Sequence, residues 1–151
     1  MKDTNRIDHF AWAVHPENAE AYVAQLSELF DTTFEELKGA TGARILISWD
    51  TGLEIATPVG EGTGGDIVRA HLEKYGEGPF ALVFRVPDIE AAGKRAAKLG
   101  WPVDTRALGD EVDMTWTNKL TSLHERIIGP FLNTMLLYGQ IDYVEDDRKD
   151  S

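Results

Sequence analysis

The alternation of apolar and polar positions divides the chain into short strand-like and helix-like segments. Ile7-Asp8-His9-Phe10-Ala11-Trp12-Ala13-Val14 is apolar or aromatic almost throughout and stops at His15-Pro16-Glu17-Asn18, which is turn and cap chemistry. That predicts a buried strand running into a helix. Ala19, Tyr22, Val23, Leu26, Leu29 and Phe30 then recur at helical spacing, while Glu17, Glu20, Gln25 and Glu28 occupy the other face. Strand-type segments follow at 32–36 and 43–50, where Ile45, Ile47 and Trp49 alternate with Arg44, Leu46 and Ser48. Asp50-Thr51-Gly52 is a turn, and Leu53-Glu54-Ile55-Ala56 makes the next strand.

From Pro58 to Gly65 the chain is rich in glycine and reads as a flexible joint; it lacks the Lys-Ser/Thr ending of a phosphate-binding loop. Asp66 is expected to cap a helix over 67–75, with Val68, Leu72 and Tyr75 as its apolar seam and Gly76 as its stop. The opening pattern then returns. Phe80 to Val86 is strand-like, Pro87-Asp88 is a stop and cap, and Ile89, Ala92, Ala96 and Leu99 stripe a helix ended by Gly100 and Pro102. Laying the second strand-cap-helix on the first gives a repeat of about 72 residues. Strands at 112–116, 122–128 and 134–143 complete the second half, so each half reads β-α-β-β-β.

Composition narrows the chemistry. At 151 residues and 42% hydrophobic, the chain is long and apolar enough to bury a core as one domain without staples. It divides into module 1 over 6–58, a Gly-rich joint and linking helix over 59–78, module 2 over 79–144 and an acidic tail over 145–151, which is expected to be frayed. The absence of cysteine excludes disulfides, Cys-ligated metal and a thiol nucleophile. A formal charge of −11 repels nucleic acid and anionic membrane. No apolar run reaches the length of roughly 18 residues a membrane span needs, and no signal-peptide core opens the chain, so the expected location is the cytoplasm. Hydrolase, dinucleotide-binding and kinase motifs are missing.

Strand parity sorts the first segment into two faces. Ile7, His9, Ala11 and Ala13 share one, and Asp8, Phe10, Trp12 and Val14 the other. The bulky set belongs against a helix; the small set leaves a hollow beside His9. Arg85, in register with Ala13, points along that face toward its rim, where it pairs either with a substrate carboxylate or phosphate or with a surface acid. Trp49 and Trp116, from comparable positions in the two halves, either wall a ligand or fill the core. His15 and His71 read as surface or half-buried residues, and the facing of His124 is open.

The two-module pattern, with His9 in its first strand and Glu54 in its fourth, resembles the vicinal oxygen chelate superfamily of glyoxalases, extradiol dioxygenases, acyl-CoA epimerases and bleomycin-resistance proteins. The resemblance covers nearly the whole chain and is closest to the methylmalonyl-CoA epimerase-like branch in Ile7 to Val14, in Leu53 to Pro58 and in the run from His71 to Ile89. It implies an α+β fold in which two tandem β-α-β-β-β modules form a curved mixed sheet around a cavity. It also implies a site on the His9 face, with His9 and Glu54 as metal ligands, and a homodimer. The matching histidine of the second half falls on Ala81, and Gln140 is the one amide in the last strand available as a further ligand. The expected cofactor is one divalent metal ion or none. Without metal, His9 and Glu54 form an acid–base pair, because a carboxylate fixes the tautomer and raises the basicity of an imidazole; a structural hydrogen bond is the plainer alternative. The expected function is enolate-type isomerase, epimerase or lyase chemistry on a small carbonyl compound or acyl thioester. A metal-free small-molecule binding or sequestering protein is the alternative. Trp49, Arg85 and Trp116 are the expected substrate contacts.

Overall fold

The structure, a computed structural model, describes residues 4–104 and 114–144. Its strands are β1 (Arg6–Ala13), β2 (Glu35–Leu37), β3 (Ala43–Ser48), β4 (Leu53–Pro58), β5 (Gly78–Arg85), β6 (Leu120–Phe131) and β7 (Thr134–Tyr143). Its helices are α1 (Ala19–Leu29), α2 (Thr63–Tyr75) and α3 (Ile89–Lys98). The strands form one curled mixed sheet in the order β2-β3-β4-β1-β5-β7-β6. β1 pairs in parallel with β4, and β5 with β7, while β1 and β5 run antiparallel at the centre. The two halves therefore meet through their first strands, about a local two-fold axis. This is the α+β, glyoxalase-like architecture expected from the sequence.

Alternation sets the layers. On the outer face Val14, Leu46 and Ile55, with Trp12, pack against Tyr22, Val23 and Leu26 of α1. Phe84, Val86 and Tyr138 do the same with Ile89 and Ala92 of α3. Asp88 caps α3 by accepting from the Ala91 N–H at 3.0 Å, and such a cap is worth about 1 kcal/mol. On the concave face α2 inserts Val68 and Leu72 among Ala13, Ile47, Ala56 and Phe80. The small Ala13 and Ala56 make room for that helix, and each fully buried large aliphatic side chain contributes roughly 1.5–3 kcal/mol.

Two segments differ from their sequence reading. α2 begins at Thr63, four residues before the expected helix at 67–75, and takes in Gly64 and Gly65. The Gly65 N–H donates to Thr41 O at 3.0 Å, and the N–H groups of Val59 and Gly60 both donate to Gly42 O. A Cβ on Gly65 would stand 2.3 Å from Gly42 O. The glycines here bring two backbones together; they are a contact where the sequence suggested a joint. Met114–Trp116, expected to end a strand, forms a short 3-10 turn, and Val112 and Asp113 lie outside the described residues, as does the tail at 145–151. No helix among the described residues is long and apolar enough to cross a membrane.

Candidate active site

The curl of the sheet encloses a cavity of about 250 Å3, lined mainly by apolar side chains from β1, β3, β5, β6, β7 and α2. His9 and Glu54 open onto it, as the sequence suggested, and so does Glu125 of β6. β1 and β4 pair Ala11 with Glu54, so the Glu54 side chain emerges beside that of His9. Leu123, Glu125 and Ile127 face the cavity in alternation along β6. Glu125 lies opposite Gly139, where a Cβ would press to 2.8 Å from the Val83 side chain. His9 Nε2 is 3.4 Å from a Glu54 oxygen and 3.2 Å from a Glu125 oxygen.

The other ring nitrogen also faces a carboxylate: His9 Nδ1 is 2.7 Å from Asp8 Oδ1. Strand parity places Asp8 on the outer face, and a bulge defeats it. Between Ile7, paired with Phe84, and His9, paired with Val83, β1 carries one extra residue. Asp8 is that residue, and its side chain is turned inward to 2% exposure. Gly52 makes the bulge possible, since at φ +76° its position would put a Cβ 2.5 Å from Asp8 O. Tyr143 O–H reaches both Asp8 oxygens at 2.8 Å.

An imidazole flanked by carboxylates at both nitrogens is arranged as an imidazolium, which donates from each. Burial opposes the charge on His9, but the hydrogen bonds with Asp8 and Glu125 and the charges of Glu54 and Glu125 outweigh it and raise the pKa to about 10. Burial pushes Glu54 up to about 7, with Glu125 and Asp8 adding to the rise and His9 opposing it. Burial and the neighbouring Asp8 also raise Tyr143. The site thus holds a charged histidine beside a carboxyl group that exchanges its proton near neutrality, the range in which general acid–base catalysis works best.

The four-ligand chelate implied by the resemblance does not fit these residues. His9 faces Val83 and Ala11 faces Ala81 across the central strands, so the local two-fold carries His9 onto Ala81 and Ala11 onto Val83. Glu54 pairs with Ala11 and Leu137 pairs with Val83, so it carries Glu54 onto Leu137. Neither Ala81 nor Leu137 has a donor atom for a metal. Among the described residues no group of three or more His, Asp or Glu side chains is arranged to hold a metal ion.

The remaining expected site residues lie elsewhere. Gln140 does not reach the cavity: its Oε1 accepts from the Ile89 N–H at 3.0 Å, on the outer face at the start of α3. His124 alternates with Glu125 along β6 and points away from the lining. Arg85 is buried below the site, where Nε donates to Ile141 O at 3.0 Å and the guanidinium lies 5.2 Å from the centre of the Tyr143 ring. Trp49 supports the site without lining the cavity, meeting the His9 ring edge-on at 5.6 Å. Trp116 packs against the main core. His15 is exposed, and His71 Nε2 lies 2.9 Å from Pro79 O. Glu125 and Asp8 are the two residues the sequence reading missed. The signal for Glu125 was an acid between the apolar Leu123 and Ile127 at strand period; Asp8 had none, because a bulge leaves no mark in the pattern.

No protein-family model matches the chain, and no curated protein matches it. Solved structures do. Methylmalonyl-CoA epimerase from Mycobacterium tuberculosis superposes with a TM-score of 0.69 at 16% identity, over 93% of this chain and 91% of that one. A methylmalonyl-CoA epimerase in complex with methylmalonyl-CoA and NH4+ gives 0.69 at 19%, over 91% and 95%. A variant of the Streptomyces coelicolor enzyme in complex with 2-nitronate-propionyl-CoA gives 0.64 at 21%, over 91% and 98%. At such identities the likeness establishes the fold and leaves the chemistry to the site. The chain has the glyoxalase-like fold of the vicinal oxygen chelate proteins, built around a cluster of one histidine and three carboxyl groups.

Proposed function

We propose that this protein is an enzyme of the enolate type, moving a proton next to the carbonyl of a small carbonyl compound or acyl thioester. The observation that carries the reading is His9 Nε2 set between Glu54 and Glu125 on the wall of an apolar cavity. A carbonyl oxygen placed at Nε2–H accepts a hydrogen bond from a charged donor that is already in position. Glu54, with its pKa raised to about 7, takes the proton from the adjacent carbon: the C–H bond breaks, a C=C bond forms, and the carbonyl electron pair moves onto the oxygen held by His9. Return of a proton to carbon restores the carbonyl. Because two carboxyl groups flank the same nitrogen, removal and delivery can use different oxygens, as isomerisation or epimerisation requires. The fold shared with methylmalonyl-CoA epimerases supports this class of reaction.

The test is incorporation of deuterium from D2O into the carbon next to the carbonyl of acyl thioesters and ketones, followed by NMR. Wild-type protein is expected to catalyse the exchange, and Glu54→Gln to slow it by roughly 10²-fold or more while remaining folded. Absence of exchange across the panel would sink the enzyme reading. Saturable binding without exchange then favours a small-molecule binding protein, the reading supported by the mainly apolar lining.

A further inference from the structure

The local two-fold sorts the cavity into two unlike ends. It carries His9 onto Ala81 and Glu54 onto Leu137, and the strand register extends the series. Ala13 and Arg85 are equivalent positions of the central strands. Ala13 pairs with Ala56 and Ala56 with Ile45, while Arg85 pairs with Gly139 and Gly139 with Glu125. Ile45 and Glu125 are therefore equivalent as well. The bulge is also repeated: between Ala11, paired with Ala81, and Trp12, paired with Pro79, the extra residue is Phe80, the counterpart of Asp8. His9, Glu54 and Glu125 make one end of the cavity, and Ala81, Leu137, Ile45 and Phe80, which line the same cavity, make the other.

This exchange of side chains at equivalent positions has two effects. A methyl group stands where the first half has an imidazole, so space opens beside Ala81. None of the four side chains at this end carries a polar atom, so a hydrocarbon group gains by leaving water there, whereas a polar group gives up its hydration without a partner among them. Ala81 is the diagonal neighbour of His9 across the central strands, a separation of about 7–8 Å. A short acyl chain spans that distance from a carbonyl held at His9. We infer that Ala81, Leu137, Ile45 and Phe80 form a subsite for the hydrocarbon chain of the ligand, with Ala81 setting the chain length it accepts. Calling that ligand a substrate rests on the proposed function; the preference for chain length is a property of binding.

Two truncated thioesters make the comparison: the N-acetylcysteamine thioesters of acetic acid and of butyric acid, titrated into the protein and followed by NMR. The butyryl thioester is expected to bind about tenfold tighter, since each buried methylene is worth about three- to fourfold. Its terminal methyl should show nuclear Overhauser contacts to the methyl groups of Ala81 and Leu137. Ala81→Val, which fills the space, should cut the ratio to about threefold or less. Equal affinity of the two thioesters for the wild type overturns the inference, as does failure of the butyryl thioester to bind at millimolar concentration. Contacts of its terminal methyl confined to the exposed rim at Lys38 and Thr41 overturn it too, and so does an undiminished ratio in Ala81→Val. If that variant does not fold or binds neither thioester, the wild-type contacts decide. Deuterium exchange separates the two ideas. Chain-length preference without exchange breaks the enolate reading alone, whereas exchange without chain-length preference breaks the subsite alone.

Discussion

The two halves of this protein share a backbone plan and differ in what they contribute to the cavity. In the first, β1 and β4 supply His9 and Glu54 at adjoining positions. In the second, the equivalent strands supply Ala81 and Leu137, and the ionisable group at the cavity comes instead from β6 as Glu125. A duplicated fold preserves positions while the chemistry at them is free to change. The consequence is electrostatic: one imidazole stands among three carboxyl groups, whose hydrogen bonds and charges favour its protonated form.

The greatest loss should come from the first half, if that half carries the chemistry. His9→Ala should reduce deuterium exchange by about 10²- to 10⁴-fold; an unchanged rate would remove His9 from the mechanism. The same variant has a pH signature. The folded pKa of His9 is raised from 6.5 to about 10, so the folded state binds the extra proton between those values and wild-type stability falls as pH rises through them. That decline, followed by thermal unfolding across the alkaline range, should vanish in His9→Ala. A similar slope in the variant would mean that another group titrates there.

Of intermediate size is the effect of removing the bulge that distinguishes β1. Gly52→Ala forces a Cβ toward Asp8 O at a positive φ, at a cost of about 1–3 kcal/mol. It should lower the melting temperature and the exchange rate together, since Asp8 is displaced from His9. A variant as stable and active as wild type would show that the bulge does not position the histidine. The smallest response is expected at Gln140, which faces away from the cavity. Gln140→Ala removes one hydrogen bond to the start of α3, worth about 1 kcal/mol, and should leave exchange untouched. A large loss of activity would return Gln140 to the site.

The periodic elements were legible because burial imposes a period on the sequence. α1, the strands of the first half, and the β5–α3 repeat of the opening pattern could all be read, and so could the pairing of His9 with Glu54 across the hollow left by Ala11. The start of α2 was not, because glycine signals freedom in a sequence even where close approach of Gly42 and Gly65 demands it. Arg85 and Trp49 lie near the site, as their strands suggested, but neither lines the cavity. Parity along a strand gives the face of a residue, and the neighbours on that face decide whether it touches a ligand or a carbonyl.

Residue identity and local pattern were enough to fix the doubled β-α plan, the side of β1 that carries His9 and the absence of donors at Ala81. Period, caps and side-chain chemistry are all local properties, so they survive in a sequence read without its fold. That Glu125 reaches His9, that Asp8 turns inward and that Gln140 caps a helix came only from the assembled sheet. Each of these depends on the register between strands distant in the chain or on a single inserted residue, and a slip of one position exchanges the two faces of a strand.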